Sequence, residues 1–166
     1  MPHINIEHIA QAVRVVDSMS LAEKEKLADE LYQSQPNIFA SVLIQNKLGT
    51  SYEDLDHLLN ILFKCFVAVR IAGLEIPTIS EEVQEICLAR IVGKAQFIEG
   101  LSTEMADTAT QDQVKNHKER NLLALVISEL TGHKAHQVQS DADKLFILTA
   151  LNIVETVAYF TNDIKH

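Results

Sequence analysis

Tryptophan is absent from this chain, aromatic residues make up only 5% of it, and its 166 residues include just five glycines and three prolines. Strand-rich folds need aromatic and β-branched residues in alternation, with frequent Gly and Pro at the turns. That composition is missing. Leu, Ile, Ala, Glu, Lys and Gln fill the chain instead, and all of these sit comfortably in helices. With 47% hydrophobic and 22% charged residues, the chain falls in the globular range rather than the disordered one.

Cysteine is also scarce. Cys65 and Cys87 both fall in apolar helical stretches, where a free thiol behaves as a small core hydrophobe, and no secreted cysteine framework is present. Clusters of Lys and Arg are lacking as well. Six basic and ten acidic residues lie up to Ile76, eight and thirteen after it, for a net charge of −9. A nucleic-acid binder needs basic side chains to displace counterions, and an acidic chain is repelled by anionic membranes. Neither partner is expected. The first eight residues carry no basic start or apolar core of a signal peptide. The most apolar stretch, residues 58–72, includes Lys64 and Arg70 and is shorter than the roughly 20 residues a bilayer requires. A cytoplasmic location follows as the expectation.

What is present is a succession of helices with marked ends. Residues 6–18 place Ile6, Ile9, Val13 and Val16 at helical spacing. Ser20-Leu-Ala-Glu23 is a capping box opening a second helix to about 33, with Leu21, Leu27 and Leu31 expected inward. Asn37 is expected to cap a third helix through 48, striped by Ile38, Phe39, Val42 and Leu43 and stopped by Gly49. Thr50-Ser-Tyr-Glu53 reads as a second capping box, opening a helix over about 52–72 that is apolar nearly all round and therefore central.

Gly73 ends that helix, and residues 74–79, with Pro77, form the one plausible linker. Thr78 or Ser80 then caps a fifth helix to about 98, with Val83, Ile86, Cys87, Ile91 and Val92 facing inward. Residues 107–120 are polar enough to be a solvated helix or a loop. Apolar helices over 121–131 and 140–160 complete the chain, the last with Leu145, Leu148, Leu151, Val154 and Ala158 inward. The prediction is an all-α antiparallel bundle of seven or eight helices.

The order of parts occurs twice. The segments Asn37-Ile-Phe-Ala-Ser-Val-Leu-Ile44 and Asn121-Leu-Leu-Ala-Leu-Val-Ile-Ser128 share three identities and three conservative apolar exchanges. Each precedes a Gly stop and then a long apolar helix containing Leu-Asn-Ile, at 59–61 and 151–153. This suggests an internal duplication of a four-helix unit, as pseudo-repeats 4–73 and 80–162 of a single domain. Capped apolar helices also look alike because they draw on the same few residues.

No motif specifies chemistry. His133-Lys-Ala-His136 and the upstream His117 lack the further ligands that a zinc site needs. Asp54-Leu-Asp-His57 resembles half of a di-iron set, but the set requires a second copy. No phosphate-cradling glycine loop or nucleophile elbow occurs, and the third helix carries only Lys47 as a charge, which no base-reading helix would do. The sequence therefore points to no catalytic, cofactor-binding or metal residue and to no cofactor.

The remaining leads are polar residues in apolar helices: Asn60, Lys64, Arg70, Asn152 and Glu155. They either line a pocket or define exposed faces, and Asn60 and Asn152 are placed to bond each other across the two central helices. The first functional expectation is a non-catalytic protein-interaction or scaffold role, with self-association as a homo-oligomer or a protein partner. The second is a helical pocket for a small apolar ligand lined by Phe63, Phe66 and Phe97. The third is an enzyme using a dispersed Asp, Glu and His constellation.

Overall fold

The computed structural model describes residues 2–133 and 140–161, with only the backbone of Glu99. It is an all-α bundle. The described helices are α1 (Ile6–Asp17), α2 (Leu21–Ser34), α3 (Pro36–Leu43), α4 (Tyr52–Ile71), α5 (Glu81–Glu99), α6 (Thr103–Asn116), α7 (Arg120–Gly132) and α8 (Asp141–Thr161), with a 3-10 turn, Ile44–Asn46, after α3. No strand occurs among the described residues.

Local chemistry sets the ends. Ser20 and Glu23 form the expected capping box at α2, and Ser80 and Ser102 accept from Val83 N and Met105 N at the starts of α5 and α6. Ser51, not Thr50, caps α4, accepting from Asp54 N. Thr50 is buried instead. Asn37 does not cap α3 either: Gln35 takes that position with Pro36 at the first helical residue, where a missing N–H costs nothing. The C-terminus of α4 closes with Leu74 N donating to Val69 O at 3.1 Å and Gly73 N to Arg70 O at 3.0 Å. That closure needs a left-handed residue, and Gly73 supplies it at φ 70°.

The α4 helix is central, as its pattern predicts, with Leu58, Leu62, Cys65 and Ala68 all excluded from solvent. It packs along α1, and α8 packs along α5; these are the most extensive helix pairs. The pairings repeat through the chain. The α2–α3 contact is matched by α6–α7, and α3–α4 by α7–α8. Across the middle α4 meets α8, while α1 touches α7 as α5 touches α3. By length and hydropathy α8 would suffice to cross a bilayer, but Phe146, Ala150, Ile153, Val154 and Val157 on one of its faces are in the core.

Several inward assignments are overturned. Ile6 and Leu21 are exposed because each opens its helix beyond the edge of the core, and Leu43, Ile86 and Leu145 lie outward too. The buried stripe of α8 runs through Phe146 and Ala150 rather than Leu145 and Leu148. Residues 107–116 fall in the solvated helix α6, none of whose residues is buried, while 117–119 connect it to α7 and carry the buried Glu119.

Candidate functional site

Two clasps tie the halves together. At the start of α3, Gln35 Oε1 accepts from Ile79 N at 2.9 Å and Gln35 Nε2 donates to Pro77 O at 3.0 Å, while Asn37 Nδ2 donates to Ile79 O at 3.0 Å. At the start of α7, Glu119 accepts from His3 N at 3.2 Å and Ile4 N at 3.1 Å through its two oxygens, and Asn121 Nδ2 donates to Ile4 O at 2.9 Å. Ile4 and Ile79, the isoleucines held, are both fully buried just before α1 and α5. Buried backbone groups must be paired, and each half supplies the partners for the segment leading into the other. The repeated Asn37 and Asn121 hinted at this, but Gln35 and Glu119 two residues earlier are visible only in the fold.

One buried and one half-buried ionic group lie deeper. Lys64 is only 6% exposed, against the expectation that charged residues of α4 mark a solvated face. Its Nζ lies 2.8 Å from Glu129 and 3.2 Å from Asp17, so it joins α4 to α7 and α1. Burial alone would lower its pKa, but the two carboxylates outweigh that and hold it above the usual lysine value. His117 Nε2 lies 2.8 Å from Glu155 Oε1. Burial would raise the Glu155 pKa, but the His117 hydrogen bond and the charges of His117, Lys94 and Arg90 bring it below the usual carboxylate value.

Asn60 and Asn152 do not meet. Asn60 accepts from Lys24 Nζ at 2.9 Å and Asn152 donates to Gln84 O at 3.0 Å, because each faces a side helix rather than the α4–α8 seam. Arg70 is exposed and paired with Glu30 at 3.0 Å. The three phenylalanines do not form a pocket: Phe63 and Phe66 fill the core, and Phe97 is 65% exposed on α5.

The chemical leads separate in the same way. His133 contacts Asp54 and stacks on His57 with ring centroids 4.2 Å apart, while His57 Nε2 lies 3.0 Å from Glu129 O. His117 sits elsewhere, and His136 lies outside the described residues. Among the described residues no three His, Cys, Asp or Glu side chains converge as a metal would require. Burial pushes the Cys65 thiol up to about 12, and burial together with Glu155 raises Cys87. A nucleophilic cysteine needs the opposite shift.

Two of the concave features on the described surface have mainly apolar walls. The first is a groove of about 210 Å³ between α3 with its 3-10 turn, α5 and α8, lined by Ile38, Ile44, Leu88, Leu145, Leu148 and Ile153. Ile44 is 49% and Leu145 37% exposed, and exposed Leu43 and Leu48 flank them in the chain. The polar linings Gln45 and Asn152 use their amide nitrogens on Ser41 O and Gln84 O. The second is a cavity of about 380 Å³ beneath α6, between α5, α7 and α8. No protein-family model, curated protein or solved structure matches this chain.

Proposed function

We propose that this chain is a non-catalytic helical interaction protein of the cytoplasm that docks through the α3–α5–α8 groove, a second copy of itself being the first partner. The observation that carries this reading is the contiguous apolar surface there, where Ile44 and Leu145 line the groove and stay open to solvent. Such patches on a polar surface mark interfaces. Exposed Leu43 and Leu48 are near the groove residue Ile44 in the chain, and two copies can meet face to face about a two-fold axis, each presenting these side chains to the other's groove. The net charge of −9 disfavours nucleic acid and anionic lipid as partners.

Light scattering on the full chain over a range of concentrations tests this. The expected result is a concentration-dependent dimer, strengthened by salt as the like charges are screened. It is expected to be lost in Ile44→Asp and Leu145→Lys with the thermal melt unchanged. A strict monomer, or a dimer indifferent to both substitutions, overturns the reading.

We further propose that residues 4–73 and 80–162 are duplicated units. The matching helix pairings and the two equivalent clasps support this, with Gln35-x-Asn37 standing to Ile79 as Glu119-x-Asn121 stands to Ile4.

A further inference from the structure

The cavity beneath α6 differs from the docking groove in shape and chemistry. At about 380 Å³ it falls within the range of small-ligand sites, and Ile98, Leu123, Ile127, Leu130, Ile147 and Leu151 make its walls almost wholly apolar. Its titratable lining residues are Lys94, His117 and Glu155, with Thr110, Gln113 and Thr131 the other polar ones. There His117 already engages Glu155 at 2.8 Å, and both Lys94 and Arg90 act on the same carboxylate. Lys94 is the permanent cation among these lining residues.

The cover over this space is thin. From α6 only Thr110, Gln113 and Val114 line it, and none of the helix's residues is buried. In the first half α2 stands at the same point in the helix order, and it drives Leu27 and Leu31 into the core.

We propose that this cavity binds a single-chain amphiphile with an anionic head, of which a medium-chain fatty carboxylate is the simplest member. Its chain lies along Ile98, Ile127, Leu130 and Ile147, and its head meets Lys94 beside the His117–Glu155 pair. This site is separate from the α3–α5–α8 docking face and stands whether or not the chain dimerises.

Calorimetric titration of the full chain with decanoate below its micellar threshold provides the test, alongside decanol and decyltrimethylammonium. Decanoate is expected to bind saturably, more tightly than decanol, with the cationic amphiphile weakest. Lys94→Met is expected to weaken decanoate by about tenfold, the loss of one charge-assisted contact, while leaving decanol unchanged. Ala95 is exposed at the cavity wall, so Ala95→Trp is expected to plug the mouth and abolish binding with the melting temperature preserved. Absence of decanoate binding overturns the proposal, as does equal binding to Ala95→Trp. Preference for the cationic amphiphile overturns the assignment of the head.

Discussion

In the first half of the molecule α2 buries Leu27 and Leu31, and α1 buries Ala12 and Val16 against α4. In the second half α5 buries Cys87 and Ile91 in the corresponding place, but α6 buries nothing and roofs a cavity. The α1–α4, α2–α3 and α3–α4 pairings have counterparts in α5–α8, α6–α7 and α7–α8, whereas the α5–α6 contact has none of its extent between α1 and α2. What also differs is how the inner space is filled. The comparison teaches that the α1–α4 and α5–α8 pairs carry the most extensive contacts and the two clasps join the halves, whereas α6 buries no residue of its own. Freed of a packing duty, α6 can serve as the roof of a binding site.

The sharpest way to break the comparison is to cut one clasp at a time. Glu119→Ala strands the buried donor of Ile4 and removes the part-buried bond of His3 N, a stranded buried donor costing about 1–3 kcal/mol, so a loss of about 3 kcal/mol is expected by urea denaturation. Gln35→Ala strands the single donor of Ile79 and is expected to cost about 2 kcal/mol. Comparable losses at both sites are expected of equivalent clasps. A neutral Gln35→Ala beside a damaging Glu119→Ala would break the equivalence.

A smaller effect separates the buried charges of the halves. The folded carboxyl of Glu155 titrates below its ordinary value of 4.5, so its contribution is complete above that pH and is lost as pH falls through the folded value. Lys64 titrates above 10.5, so its contribution is complete below that pH and is lost as pH rises through the folded value. Thermal melts are therefore expected to show acid loss that Glu155→Gln flattens and alkaline loss that Lys64→Met flattens. Exchanged behaviour, with Lys64→Met flattening the acid limb, would contradict the assignment.

Much of this fold was legible in the sequence because capping is local chemistry. Ser20, Ser80 and Ser102 each sit three residues before the backbone donor they accept from, and the apolar run of α4 required burial on every side. The identity of the buried face was less legible at helix starts, where Ile6 and Leu21 obey the helical spacing yet project past the core. The clasps were beyond reach for a different reason: Glu119 and Ile4 are 115 residues apart in the chain, and no local pattern pairs a carboxylate with a distant backbone. The cavity was illegible too. It reflects what α6 lacks, and the phenylalanines expected to line an apolar pocket fill the core or face solvent instead.

Hydrogen exchange resolved by mass spectrometry tests most directly whether α6 is a separable cover. Few buried contacts mean a low local opening free energy, so α6 amides are expected to exchange through local opening while α2 amides exchange only with global unfolding, and decanoate is expected to slow α6 alone. Exchange of α2 and α6 together, at one rate and unaffected by decanoate, would contradict the account.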